Sequence, residues 1–356
     1  MDFGLSEEQT ALQDSVNRYL DEQAGLEQLR GFVNDVDCRH IWDGLIELGV
    51  GSLLLPEEDG GLGLAILDAA LVAECLGAHV TPTPFIGSAV LAPLALRHAD
   101  PGLRSKYLGP LRDGKLKAGF ALSELAGARA QAGVKESDGK LSGQSLFVLE
   151  PRADIVLVAT NTKALYLVEA GADGMQQLVH TTIDRTRSSG ELRLNNTPAH
   201  LISSDPAVAE NLLDIARIML VADTLGAAQH MLNAAVAYAK DRKQFNRVIG
   251  SFQAVKHMCA EMAAELEPCR AMMWYAAYAL EELPHEARLT ACHAKAHVAE
   301  VGTFIARTAT EVHGGVGFTD LLGLHYWFKR IGFNRQALGA PELVREEAAK
   351  LQEAMA

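Results

Sequence analysis

AVAENLLDIARIMLVADTLGAAQHMLNAAVAYAK (residues 207–240) is one unbroken pattern rich in Ala, Leu and Met, directly after Pro206. A run this long with helical spacing predicts a single long helix. A second such pattern spans Ser251 to Leu280, a third Pro284 to Val312, and a last helix starts near Pro341 and runs to the end. Long antiparallel helices with short loops predict a four-helix bundle over residues 205–356.

Toward the N-terminus the texture changes. From Lys117 to about Ile202 the apolar runs are short and split by turns: Phe120-Ala121-Leu122, Leu146 to Leu149, Ile155 to Val158, Leu165 to Val168, and Leu192-Arg193-Leu194. Asp138-Gly139 and Ala172-Asp173-Gly174 are turn signals. Residues 117–204 are therefore expected to form an antiparallel β domain, a small barrel or sandwich. Residues 1–116 read as helical. Ser6 and Gln9 make a capping box ahead of Leu12, Val16, Tyr19 and Leu20. Trp42, Leu45 and Leu48 mark a second helix, and Ile66 to Leu76 a third that stops at Gly77. Phe85 to His98 and Leu103 to Leu111 predict two more. The fold class is α+β, in the order helical domain, β domain, helical bundle.

The chain has 356 residues, enough for two or three packed domains. Its net charge of −13, with no offsetting basic cluster, argues against nucleic acid or an anionic membrane as the main partner. The N-terminus has no signal-peptide character, and no apolar run is long enough to span a bilayer, so a cytoplasmic location is expected. The five cysteines (Cys38, Cys75, Cys259, Cys269, Cys292) form no Cys-x-x-Cys pair and read as buried free thiols. His293 and His297 lie four apart on a predicted helix, but no third ligand is nearby, so no metal site is expected. His325-Tyr326-Trp327-Phe328 reads as a core or interface cluster.

Two segments carry chemistry. Arg242-Lys243-Gln244-Phe245 continues to Ile249-Gly250-Ser251-Phe252-Gln253-Ala254, and His313-Gly314-Gly315-Val316-Gly317-Phe318 follows the third long helix. With the helix–sheet–helix order, with Phe3 to Gln9, with Leu55 to Gly63, with Phe120 to Glu124 and with Asp184 to Arg187, these segments make the chain resemble the acyl-CoA dehydrogenases along its whole length. That resemblance implies FAD as cofactor and an acyl-CoA thioester as substrate, with an electron-transfer flavoprotein as acceptor. Arg242 would grip the FAD pyrophosphate with charge-assisted hydrogen bonds. Gln244, Phe245, Ile249, Phe252, Gln253 and Glu311 would line the cofactor, and Gly314 and Gly315 would let backbone approach it closely. A surface salt bridge is the plain alternative for Arg242.

The chain departs from the family where the reaction needs a base. The family's glutamate removes the acidic proton beside the thioester carbonyl. Here Leu338 and Ala216 stand at the two positions where members carry it. Leu149 and Ala128 likewise replace side chains that bond to flavin or substrate, and Glu311 stands where a glutamine is usual. The losses cluster around the flavin ring, while the residues for the cofactor's far end remain. In this family the two ends are held by different subunits, so one half-site implies a partner with the other. The resemblance points to bacterial heteromeric members of sterol side-chain degradation. The expectation is a non-catalytic subunit of a heterotetramer. Two alternatives stay open: a self-sufficient enzyme with Glu342 as displaced base, and a flavin-free scaffold.

Overall fold

The structure is a computed structural model that describes residues 4–34, 37, 39–127 and 129–355. Phe3, Cys38 and Ala128 lie outside the described residues. The N-terminal part holds α1 (Glu7–Gln23), α2 (Leu26–Val33), α3 (Arg39–Glu47), α4 (Ile66–Ala78), α5 (Ala92–Leu96) and α6 (Pro101–Arg112). The Ser6 hydroxyl accepts from the Gln9 N–H at 3.2 Å, and the Gln9 side chain accepts from the Ser6 N–H at 3.0 Å, which closes the capping box. The Gln9 amide also reaches Asp68 at 3.0 Å and ties α1 to α4.

The sheet contains β1 (Ala118–Ala121), β2 (Gly133–Ser137), β3 (Lys140–Leu149), β4 (Ile155–Ala159), β5 (Leu165–Glu169), β6 (Met175–His180), β7 (Ser189–Pro198) and β8 (His200–Ser203), with the short α7 (Ser123–Ala126) after β1. The strand order is β6-β7-β3-β1-β4-β5-β8, and β2 pairs with β3. Asp138 and Gly139 both take positive φ, 51° and 73°, in the turn between β2 and β3. One pair departs from the antiparallel expectation: β1 and β4 run parallel, with Ala118 opposite Ile155. The chain between them makes the β2–β3 hairpin, which lets two strands of the same direction become neighbours. Along β4, Ile155 and Leu157 enter the core shared with the helices, while Val156 and Val158 fill the core on the other face.

The C-terminal part holds α8 (Pro206–Asp241), the hairpin β9 (Lys243–Gln244) and β10 (Arg247–Val248), α9 (Gln253–Glu282), α10 (Pro284–His313), α11 (Leu324–Gln336) and α12 (Pro341–Met355). Four helices were expected, and α11 is the addition. Its pattern misleads because two of its polar side chains point inward: Arg330 and Asn334 are each 1% exposed. Helices α4 and α8 cross at backbone contact. A Cβ on Gly226 would lie 1.8 Å from the Glu74 carbonyl oxygen, and one on Gly77 would lie 2.0 Å from that of Asp223.

Arg330 joins all three parts. It pairs with Asp184, in the segment between β6 and β7, at 3.1 Å and with Asp223 of α8 at 3.0 Å. It also donates to the carbonyls of Val80 and Thr81 before α5. Arg187 reaches Asp223 at 2.6 Å, and the Asn334 amide donates to Asp223 at 2.6 Å. The cavity at this junction measures about 10 Å³, room for one water.

Candidate functional site

Helices α8 and α10 pack directly on each other and run in the same direction, and α9 runs back against both. The C-termini of α8 and α10 and the N-terminus of α9 therefore share one end of the bundle. The nine residues expected to hold the cofactor gather there. Arg242 caps α8: its N–H donates to the Tyr238 carbonyl at 2.8 Å, and its own carbonyl accepts from Ile249 N–H at 2.8 Å. Its backbone is thus fixed, while its side chain is exposed and forms no ion pair among the described residues.

The hairpin turn places Phe245 at φ 52°, with 87% of its surface exposed. A left-handed, solvent-facing phenylalanine is costly and marks a place built for contact. Phe252 lies 6.2 Å from the Phe245 ring, and the Arg247 guanidinium stacks 3.8 Å above Phe252. Gln244 and Gln253 are exposed and Ile249 is half-buried. Helix α9 starts at Gln253 without a side-chain cap, so its first N–H donors stay open, as at anion-binding helix starts. Gly314 ends α10 at φ 60° and ψ −143°, a glycine conformation, and nothing lies within 4 Å of a Cβ built on Gly314 or Gly315. Glu311 is exposed one turn earlier and forms no ion pair among the described residues. Phe318 and Leu321, 78% and 71% exposed, extend the apolar part of this end.

The two positions without a base are built in the opposite way. Ala216 is fully buried and Leu338 is 1% exposed, at φ 57°. Beneath them sits Arg217, fully buried on α8. It donates to the Leu338 carbonyl at 3.1 Å and pairs with Asp214 at 3.1 Å and Glu347 at 2.8 Å. Burial raises the Asp214 pKa, and Arg217 opposes that rise. From α10, Lys295 donates to the carbonyls of Asn334 at 2.8 Å, and of Arg335 and Gly339 at 3.2 Å. Burial, with Arg217 and Arg335 nearby, pushes the Lys295 pKa down to about 7.

The loop after β1 closes over this place. The Ser123 hydroxyl donates to the Phe147 carbonyl at 2.5 Å, and the Glu124 carboxylate accepts from Leu146 N–H at 2.9 Å. Phe147 packs on Phe333 at 5.5 Å. Leu149 is 3% exposed. Glu342 sits on the first turn of α12, two-thirds exposed and 3.0 Å from Arg335. The helix-start backbone and Arg335 hold its carboxyl below the usual range.

Sequence reasoning passed over Arg217 and Lys295. Their signal was available: each is a charge flanked by residues of an inward apolar face, where charges are rare unless paired.

Over residues 6–115 the chain matches the acyl-CoA dehydrogenase N-terminal domain, and over 207–351 the acyl-CoA dehydrogenase C-terminal domain. It is 31% identical over 306 residues to the acyl-CoA dehydrogenase IpdE2 of Mycobacterium tuberculosis, covering 85% of this chain and 84% of that one. This chain belongs to the acyl-CoA dehydrogenase family. Another acyl-CoA dehydrogenase of that organism, FadE27, is 31% identical over 316 residues, covering 85% of this chain and 84% of FadE27. Among solved structures, the ChsE4–ChsE5 complex from Mycobacterium tuberculosis superposes with a TM-score of 0.90 at 29% identity, covering 99% of both chains. A variant of the Tcur3481–Tcur3483 steroid ACAD gives 0.89 at 29% identity, covering 98% of this chain and 99% of that one.

Proposed function

We propose that this chain is the non-catalytic subunit of a heteromeric, FAD-dependent acyl-CoA dehydrogenase, and that it completes the FAD site of a homologous catalytic partner. The observation that carries this reading is the contrast between its two half-sites. The bundle end has unspent donors and exposed aromatic surface: Arg242, the open start of α9, Gly314–Gly315 and Phe245. The positions for the base hold Leu338 and Ala216, packed over a buried ionic cluster.

Distance supports the same division. Arg217 and Arg242 are twenty-five residues apart on one helix, roughly 37 Å at 1.5 Å per residue. The two half-sites therefore lie well apart along one helix, and only the Arg242 end keeps exposed groups suited to a cofactor.

When bound, FAD supplies the hydride acceptor for desaturation of the acyl-CoA thioester. This chain's residues hold and orient it: Arg242 by charge-assisted bonds to the pyrophosphate, Phe245 and Phe252 by packing, and Gln244 and Gln253 by hydrogen bonds. The Glu311 carboxylate would oppose an anion placed against it, so it is the one expected cofactor residue whose charge runs against the reading. The assembly is a heterotetramer with two copies of each chain, and the likeness to the ChsE4–ChsE5 complex supports a heteromer. A steroid side-chain thioester is the substrate class, by likeness to the Tcur3481–Tcur3483 steroid ACAD. An electron-transfer flavoprotein is the acceptor. The alternative in which Glu342 serves as base is disfavoured by its exposure and its pairing with Arg335.

The test is flavin absorbance of the purified chain, alone and co-expressed with the product of a neighbouring acyl-CoA dehydrogenase gene. Flavin and activity only in the complex are expected. Flavin and turnover in the chain alone would instead support a self-sufficient enzyme. Flavin that persists in the complex after Arg242→Ala and Gly315→Asp would sink the assigned half-site.

A further inference from the structure

The cofactor-holding groups sit on two separate elements, the segment after α8 and the loop after α10. A dinucleotide held by both needs them at a fixed separation. We infer that the packed rings of Tyr238 and His313 are the positioning element that sets this separation. The inference rests on the half-site reading above.

The ring centroids are 4.6 Å apart, with planes inclined by 30°. Tyr238 lies in the last turn of α8, and His313 is the last residue of α10. Each ring is wired by backbone to a holding group. The Tyr238 carbonyl accepts from the N–H of Arg242, and His313 is followed directly by Gly314.

The His313 ring is itself held. It is 5% exposed, and its Nδ1 lies 2.7 Å from the Ala309 carbonyl, so Nδ1 carries the proton and donates. The loop beyond folds back on it: a Cβ on Gly317 would meet the Thr310 carbonyl oxygen at 2.7 Å and the His313 Cβ at 3.0 Å. On the other side, Gly250 lies against the backbone of Ala239, which fixes the returning segment to the same last turn of α8. Removing a ring leaves the helices intact, because Ala235, Ala239, Ala306 and Ala309 remain buried in the core beneath. It frees their last turns to shift, and a displacement near 1 Å is costly where several groups grip one ligand.

The test uses the chain co-expressed with its catalytic partner, stripped of flavin and titrated with FAD by fluorescence. Sedimentation of each variant checks assembly. Tyr238→Ala and His313→Ala are each expected to weaken FAD affinity about tenfold or more with assembly unchanged, while Tyr238→Phe stays within about twofold of wild type. Near wild-type affinity in both alanine variants, with Arg242→Ala weakened, overturns the positioning role and leaves the half-site reading standing. Equal loss in Tyr238→Phe overturns it too, because the hydroxyl and not the ring would then matter. Unchanged affinity in Arg242→Ala overturns the half-site reading and this inference together. Should Tyr238→Ala fail to assemble, Tyr238→Leu and His313→Gln decide on the same criterion.

Discussion

Arg217 donates its Nε–H to the main-chain carbonyl of Leu338, 3.1 Å away and 121 residues later. A fully buried cation thus holds the loop on which the family's base would stand. The same guanidinium pairs with Asp214 and Glu347, and Arg288 brings a second cation to Glu347 at 2.7 Å. Breaking a buried pair leaves uncompensated charge. Arg217→Met is expected to cost about 3–5 kcal/mol of unfolding free energy. Arg345→Ala, which removes an exposed pair with Glu300, should cost under about 1 kcal/mol. Urea titration of both variants checks this, and equal losses would contradict the burial of the cluster.

His230 stacks on Trp327 with ring centroids 3.9 Å apart. Burial, with His79 nearby, pushes its pKa down to about 4, against about 6.5 in the unfolded chain. The unfolded state therefore binds the extra proton between these values, and stability rises with pH across that window. His230 contributes fully above about pH 6.5, and the contribution is lost as pH falls toward 4. The stability difference between wild type and His230→Gln should shrink over that interval. A difference independent of pH would show that the ring is not held neutral.

Gly314 and Gly315 serve different ends. Gly314 needs its backbone conformation, so Gly314→Ala should destabilise by about 1–2 kcal/mol although nothing crowds the new methyl. Gly315 has open space and no positive φ. Gly315→Val should leave the melting temperature near wild type and lower flavin retention in the complex. Differential scanning fluorimetry and flavin absorbance separate the two effects.

Gly226 marks the crossing of α4 and α8. A methyl group there would overlap the Glu74 carbonyl oxygen, so Gly226→Ala should cost about 1–3 kcal/mol or more as the helices are pushed apart. Gly109→Ala in α6, where a Cβ meets nothing within 4 Å, is the matched control and should be neutral or slightly stabilising. Equal effects would contradict backbone contact at the crossing.

The local features of this chain were legible in its residues. Ser6 and Gln9 announced the start of α1, Asp138-Gly139 the β2–β3 turn, and the run from Ala207 the long α8. Each depends on neighbours a few residues apart, which a sequence displays directly. The expectation of a missing base was drawn at the same level, from a leucine at 338 and an alanine at 216, neither of which can take a proton. Other features needed the folded chain. Helix α11 was hidden because Arg330 and Asn334 reverse the usual rule that polar residues face water. The parallel β1–β4 pair was hidden because strand pairing is set by the path of the intervening hairpin. The partners of Arg217 and Lys295 were hidden, because the carbonyls of Leu338 and Gly339 reach them from more than forty residues away. Local pattern alone was enough to show that Leu338 and Ala216 carry no titratable side chain. Tertiary structure alone decided which of its charges are buried and balanced and which, at the bundle end, remain unspent. That division depends on contacts between distant segments, which local pattern does not encode.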